Sequence, residues 1–340
     1  MTSAARPGDL CLVTGASGFI GGHLAARLVR DGHRVRGLVR PSSDTAQLEA
    51  LNVELAVGDL GDPGALARAT RGCRFVLHCA AMVSDWATAA EVTRANVDGT
   101  RYLLEAAVGA SVQRFVQISS TDVYGHPGDA EVDEAQIPGR FRNWYAETKL
   151  AAEGEVRRAA AAHGLEIVIL RPATVYGPGS EAVILEIARA IRGGNMVLIG
   201  GGRAIAGLCF IDNLIDAAVL ALRAGGADGE AFNVTDGLAV TWRELADALA
   251  DGLGCSRVRW SLPYPVAAGL GFTLEHGYRA LRRATGLTTR PLLSRQAVQV
   301  LGIDQSFSNR KARERLGWHP RVGYADGLQA TVQWLRTRGV

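Results

Sequence analysis

An α/β fold, a doubly wound parallel sheet with a smaller C-terminal α/β part, is predicted by three features of this chain. Short apolar runs alternate with helix-length amphipathic stretches up to about residue 176. A glycine-rich turn directly follows the first apolar run. The 340 residues, 48% hydrophobic and 21% charged, supply ample material for a buried core. Strands that alternate with helices fold as right-handed βαβ units, which place helices on both faces of a parallel sheet.

Taken in order, residues 10–14 (LCLVT) form the first strand. The glycine-rich turn then opens a helix over 20–32, with Ile20, Leu24, Leu28 and Val29 on one face. Strand-like runs recur at 35–39, 53–57, 75–79, 115–118 and 167–170, and helical segments at 62–71, 86–108 and 144–163 lie between them. Beyond residue 176 the rhythm changes. A helix is expected at 181–193, a short strand near 197–199, another at Phe210 and Ile211, a helix at 212–223 and a strand at 232–234. The helix over 241–253 has Thr241 as N-cap and Glu244 three residues on, which completes a capping box. Residues 263–302 read as helical, and 308–338 as two helices broken at Gly317-Trp318-His319-Pro320.

Composition narrows the function. A formal charge of +3 is too balanced for a nucleic-acid or membrane-surface partner. No apolar run reaches the roughly 18 residues of a membrane span, so no stable membrane insertion is expected. Met1 to Asp9 lack the pattern of a secretory leader, which predicts a cytoplasmic protein. Cys11, Cys73, Cys79, Cys209 and Cys255 form no C-x-x-C pair and read as small hydrophobes in a reducing compartment. The seven histidines show no H-x₃-H spacing, so no metal is predicted. Lys149 and Lys311 are the two lysines in a chain otherwise rich in arginine.

The turn Gly15-Ala16-Ser17-Gly18-Phe19-Ile20-Gly21 opens the first helix, so Gly15, Ser17, Gly18, Phe19, Ile20 and Gly21 are the candidate cradle for a pyrophosphate. Glycines allow a tight turn and close backbone approach, while the free N–H groups and dipole of the helix start face the negative charge. This predicts a dinucleotide-binding Rossmann domain over 1–176. A mostly substrate-binding part covers 177–340, with about 205–235 returning to the first sheet. A site for NAD ordinarily ends its second strand in an acid that meets the ribose. Here that strand runs Leu38-Val39-Arg40-Pro41-Ser42-Ser43, a guanidinium with two hydroxyls, so Arg40 and Ser43 favour the 2′-phosphate of NADP over NAD. Asp59 and Leu60 after the third strand are placed at the adenine. Cys79, Ala80 and Ala81 after the fourth are small enough to let the cofactor ribose approach the backbone.

Tyr145 and Lys149 stand four residues apart, so on a helix they share one face. A nearby cation favours the phenolate, which predicts a lowered Tyr145 pKa and a usable general acid/base. With seven Tyr and two Lys, chance supplies about 0.04 such pairs. Ser119 and Ser120 end an apolar strand, where open α/β sheets bind ligands and a hydroxyl can donate to a ketone oxygen.

At this point the chain resembles the extended short-chain dehydrogenase/reductases, a family of NAD(P)-dependent dehydrogenases, epimerases and dehydratases. The matching pieces are Thr14 to Gly21, Gly58-Asp59-Leu60, His78-Cys79-Ala80-Ala81, Asn96-Val97-Asp98-Gly99-Thr100, Ser119 to Gly125, Tyr145-x₃-Lys149, Leu170-Arg171-Pro172, Val175 to Pro178 and Gly317-Trp318-x-Pro320. They span about nine-tenths of the chain. The resemblance implies that Ser120 is the catalytic hydroxyl, Tyr145 the acid/base, and Lys149 the residue that tunes Tyr145 and binds the nicotinamide ribose. It adds Asn96, Ser119, Pro172, Thr174 and Val175 to the cofactor set and implies a homodimer through the helices at 86–108 and 144–163. The stretch from Arg203 to Asp212 is largely apolar, where the nucleotide-sugar enzymes of the family usually carry basic and polar groups. The segments from Tyr264 to Leu274 and Arg290 to Ser294 resemble the 3β-hydroxysteroid dehydrogenase-like branch. Met82, Val83 and Trp86, with Thr121 and Tyr176, are the candidate lining of a hydrophobic substrate pocket.

The reaction so implied moves hydride between nicotinamide and a secondary alcohol or ketone on a hydrophobic small molecule, steroid-like or a long-chain β-keto compound. The alternative is a nucleotide-sugar epimerase or dehydratase that retains NAD. A lesser one is a non-catalytic NADP(H)-sensing protein.

Overall fold

The computed structural model describes residues 6–83, 87–136, 144–285 and 293–340. Its strands are Leu10–Thr14 (β1), Arg34–Val39 (β2), Glu54–Val57 (β3), Phe75–His78 (β4), Arg114–Ile118 (β5), Glu166–Pro172 (β6), Thr174–Tyr176 (β7), Leu198–Ile199 (β8), Leu208–Phe210 (β9), Glu230–Val234 (β10) and Ser261–Leu262 (β11). Seven of them make one sheet in the order β10-β6-β5-β4-β1-β2-β3, every pair parallel. The chain runs outward from β1 through β2 and β3, then restarts at β4 on the other side. The carboxyl ends of β1 and β4 therefore flank the crevice in which such sheets bind ligands.

Side-chain alternation sorts the core into two layers. Cys11 and Val13, Val116 and Ile118, and Val168 and Leu170 face one side; Leu10 and Leu12, Phe115, and Ile167 and Ile169 face the other. The first layer is covered by Phe19–Arg30 (α1) and, later in the chain, Ile211–Arg223. The second is covered by Pro63–Thr70, Gly99–Gly109 and Trp144–His163. Helices in chain order are α1, Ala46–Ala50 (α2), Pro63–Thr70 (α3), Ala89–Thr93 (α4), Gly99–Gly109 (α5), Trp144–His163 (α6), Glu186–Arg192 (α7), Ile211–Arg223 (α8), Trp242–Leu253 (α9), Tyr264–Thr285 (α10), Arg295–Gly302 (α11), Arg310–Leu316 (α12) and Tyr324–Thr337 (α13). Arg27 pairs with both Asp31 and Asp216, which ties α1 to α8.

Several elements depart from the pattern read in the sequence. The helix expected over 86–108 begins at Ala89, where Thr88 and Glu91 form a capping box, and it carries a π-helical turn at Arg94–Asp98. A π turn widens the ladder by one residue, and its residue Asn96 is buried. The strand at Leu208–Phe210 does not join the main sheet. It pairs in parallel with β7, whereas β10 lies beside β6. The short β8 pairs with β11. The capping box of Thr241 and Glu244 is present at the start of α9. The break near residue 317 is a left-handed Gly317 (φ +64°) followed by a fully buried Trp318, whose indole donates to the Asn213 carbonyl at 2.8 Å. Cys11, Cys73 and Cys209 are buried, Cys79 and Cys255 half-buried, and none is in a disulfide. Among the described residues no helix is long and apolar enough to cross a membrane.

Candidate active site

Gly15, directly after β1, has φ +65° and lies so near the β4 loop that a Cβ there would meet Ala80 Cα and N at 2.9 Å. Gly21 is tighter still, for a Cβ would fall 2.1 Å from the Gly15 carbonyl oxygen. These glycines press the first turn of α1 against the loop, which presents its unpaired N–H groups to the crevice; the first intrahelical bond is Gly22 N to Gly18 O at 2.8 Å. A nicotinamide dinucleotide's pyrophosphate fits such a cradle. At the end of β2 the exposed Arg40 guanidinium has no partner among the described residues, and Ser43 Oγ accepts from Arg40 N at 3.1 Å. Asp59 is exposed, with one carboxylate oxygen accepting from Gly61 N at 2.9 Å, and Leu60 packs against Gly99 at the start of α5.

The β4 loop is held by polar contacts that the sequence did not reveal. Thr100 donates to the Asn96 carbonyl at 2.6 Å, so its oxygen accepts from His78 Nε2–H at 3.0 Å. His78 Nδ1 is then left to accept from the Thr14 hydroxyl at 2.6 Å, and Thr14 Oγ1 accepts from Ala80 N at 3.2 Å. Burial pushes the His78 pKa down to about 3, in keeping with this neutral imidazole. One directed chain of hydrogen bonds thus fixes Ala80 beside Gly15. Cys79, Ala80 and Ala81 stay half-buried at the crevice edge.

The catalytic candidates come together at the end of β5 and the start of α6. The Ser120 hydroxyl lies near enough to the Tyr145 phenol to favour its anion. Ser120 Oγ also accepts from Asp122 N at 3.1 Å, which caps the 3₁₀ turn Thr121–Tyr124. Lys149 is 4% exposed and donates to the Ile118 carbonyl at 2.6 Å; its Nζ lies 5.9 Å from the centre of the Tyr145 ring. The expectation of a lowered phenol pKa is corrected here. Burial, aided by the Asp122 carboxylate, pushes the Tyr145 phenol up. Burial brings the Lys149 ammonium down to about 8.

One further expectation is corrected, and two other candidates are tied into the protein. Asn96 spends both amide protons on the protein: Oδ1 accepts from Met82 N at 2.7 Å, and Nδ2 donates to Met82 O and Thr148 Oγ1, both at 3.1 Å. It positions the β4 loop, with one lone pair of Oδ1 still open. Ser119 is buried and donates to Glu153 Oε1 at 2.6 Å, away from the crevice. Tyr176 is fully buried between Phe210 and Tyr324, with its hydroxyl against Gly327, and so does not line a substrate pocket. The pairing of β7 with β9 turns that side chain into the core.

Of the remaining candidates, Pro172 is buried at the end of β6, and Thr174 and Val175 are half-buried on β7. Thr121 is buried, whereas Met82 and Val83 are exposed, Val83 at 65%. Trp86 lies outside the described residues, as do residues 290–292. Ser17 and Gly18 lie in the loop after β1, and Phe19 and Ile20 in the first turn of α1. His78, Asp122 and Arg171 fall within the motifs of the sequence but carry no role there, and Glu153 falls in none. Glu153 carried a signal, an acid at helical spacing from Tyr145 and Lys149 on a face that also holds Ala152 and Val156.

Comparison with known proteins adds independent findings. The description of the NAD dependent epimerase/dehydratase family matches residues 11–235. Over 327 residues, 94% of this chain and 95% of the relative, it is 34% identical to a 4-hydroxy-2-methyl-3-oxo-4-farnesyl-3,4-dihydroquinoline-1-oxide ketoreductase of Stigmatella aurantiaca. It is 31% identical to a 3-beta-hydroxysteroid dehydrogenase of Mycolicibacterium neoaurum, over 91% of this chain and 86% of that one. A dTDP-glucose 4,6-dehydratase double mutant from Streptomyces venezuelae, solved with NAD bound, superposes with a TM-score of 0.79 at 28% identity over 97% of this chain and 98% of the other.

Proposed function

This chain belongs to the NAD dependent epimerase/dehydratase family, and within it we propose an NADP-preferring oxidoreductase acting on a secondary alcohol or ketone of a hydrophobic small molecule. The observation that carries the reading is the meeting of α6 with the carboxyl end of β5, where Ser120 caps the turn and the buried Lys149, bonded to the Ile118 carbonyl, stands 5.9 Å from the centre of the Tyr145 ring. The first turn of α1 would hold the pyrophosphate, Arg40 and Ser43 the 2′-phosphate, Asp59 and Leu60 the adenine, Cys79 to Ala81 and Lys149 the riboses, and Pro172 to Val175 the nicotinamide. The bound dinucleotide supplies the hydride chemistry.

The chain's own residues do the rest. Ser120 donates to the substrate oxygen and steadies the negative charge that grows there in reduction. Tyr145 gives that oxygen its proton. Its raised pKa keeps the phenol protonated at neutral pH, the state reduction calls for. In oxidation the same groups work in reverse. The exposed apolar Met82 and Val83 beside the crevice support a hydrophobic substrate, as do a farnesylated ketone and a steroid in the names of two relatives.

The likeness to a dTDP-glucose dehydratase keeps a second reading in play, a nucleotide-sugar enzyme with retained NAD. Against it stands the segment where a sugar nucleotide would bind: Ala206, Leu208, Cys209, Phe210 and Ile211 are all at most 3% exposed and offer no polar side chain. The reading also includes a homodimer through the helices at 86–108 and 144–163, which light scattering tests.

The deciding experiment is thermal shift with NADP⁺ against NAD⁺, followed by turnover on steroid, long-chain β-hydroxy and sugar-nucleotide alcohols. Stronger stabilisation by NADP⁺ and turnover of an apolar alcohol are expected. Purified protein that carries bound NAD⁺ and converts a sugar nucleotide without added cofactor overturns the reading.

A further inference from the structure

Behind the catalytic serine lies a buried ionic assembly that the chemistry above does not use. Glu153 stands one turn beyond Lys149 on α6, on the same face. Its carboxylate, 2% exposed, accepts from Ser119 Oγ at 2.6 Å and from Arg171 twice, Nε at 2.9 Å and Nη2 at 2.6 Å. Arg171 is itself buried on β6. Its Nη1 donates to the Tyr124 hydroxyl at 2.8 Å, which donates onward to Asn233 Oδ1 at 2.7 Å on β10. A single side chain thus joins the catalytic helix to the strand that ends in Ser119 and Ser120, and to the next strand in the sheet.

A buried ion pair of this kind is weak evidence for stability, since taking two charges from water offsets most of their attraction. Its placement suggests a different use. The groups whose charge acts on Lys149 are Glu153 on its own helix, Cys79 after β4 and Asp122 in the turn after β5; Lys149 in turn acts on His78 on β4, and the Tyr145 ring centre lies 5.9 Å from its Nζ. Of these, Glu153 and Asp122 are the carboxylates, and His78 is held neutral by its hydrogen bonds. Arg171 faces Glu153 from the side of β6 and tempers its field at Lys149.

We propose that Glu153 is a positioning residue for the reaction: its carboxylate keeps Lys149 an ammonium in its buried pocket and, through Ser119, holds the end of β5 in register with Tyr145. The proposal rests on the hydride-transfer reading for its consequence but not for its physics. Removing the anion leaves Lys149 facing a lone guanidinium. Removing Arg171 instead leaves the anion uncompensated. The two changes drive the Lys149 proton in opposite directions, which a purely structural brace would not do.

The test exploits the two-lysine composition. With ¹³C-labelled lysine the ε-methylene spectrum holds one signal from Lys149 and one from the half-exposed Lys311, an internal control. In Glu153→Gln the Lys149 titration midpoint is expected to fall by about one pH unit or more, and in Arg171→Met to rise by a similar amount. The alkaline limb of kcat should follow each shift, while Lys311 stays put. Should one variant fail to fold, the sign read from the other decides. A midpoint unmoved in either folded variant, or moved the same way in both, overturns the proposal. Wild-type protein without nicotinamide-dependent turnover would instead overturn the oxidoreductase reading, and leaves the lysine titration to be judged by itself.

Discussion

Replacing Lys149 by Met exchanges a buried ammonium for an apolar chain of similar length. In the folded protein burial holds the Lys149 pKa at about 8 against an ordinary 10.5, and the side chain is 4% exposed. At ~1.4 kcal/mol per pKa unit, that difference corresponds to roughly 3 kcal/mol. The sign follows from proton counting. Between about pH 8 and 10.5 the folded protein has released this proton while the unfolded chain retains it. The unfolded state binds more protons there, so stability rises with pH across that window. Below it the full penalty of burying the charge applies. Lys149→Met lacks this titration and loses the bond to the Ile118 carbonyl, a nearly constant offset of about 1–3 kcal/mol. Urea unfolding of both proteins from about pH 7 to about pH 10 should show wild type gaining on the variant by roughly 2.5 kcal/mol in total. A difference that stays flat with pH would mean that Lys149 keeps an ordinary pKa, and the account of its burial would fail.

Three other outcomes follow from the site. Tyr145→Phe should lower kcat by roughly 10² or more while leaving cofactor affinity near wild type; steady-state kinetics with a fluorescence titration of reduced cofactor checks this, and near-normal turnover would remove Tyr145 as proton donor. Arg40→Ala should weaken NADP⁺ binding by about 10-fold or more and spare NAD⁺; calorimetry that finds equal losses for both would take Arg40 away from the 2′-phosphate. In Gly21→Ala the new Cβ would lie 2.1 Å from the Gly15 carbonyl oxygen. The loop must shift at a cost of about 1–3 kcal/mol, so thermal shift should show a lower melting temperature and no stabilisation by either dinucleotide.

The main sheet was legible because its signals are local. Apolar runs of strand length, the glycines after β1 and the capping box of α9 each declare themselves within a few residues. Tyr145 and Lys149 were legible for the same reason: four residues on a helix share a face whatever surrounds them. The π turn at Arg94–Asp98 was not, since its sequence reads as ordinary helix; there the bonds of Asn96 to Met82 and Thr148 accompany the bulge. Tyr176 sits in a segment whose motif looks like a site, but the pairing of β7 with β9 turns it into the core.

Sequence alone therefore determined the α/β class, the glycine-rich turn after β1 and the shared face of Tyr145 and Lys149, all of which rest on spacing along the chain, while the family resemblance set Ser120 beside them. The charge states of those residues belonged to the tertiary structure. A phenol and an ammonium four residues apart can couple or ignore one another. Which happens depends on desolvation and on partners brought from far along the chain: the Ile118 carbonyl that takes the Lys149 proton donor lies 31 residues away, and the Ser119 hydroxyl that binds Glu153 lies 34 away. Electrostatic energy depends on distance and on the medium between charges, and only the folded chain sets both.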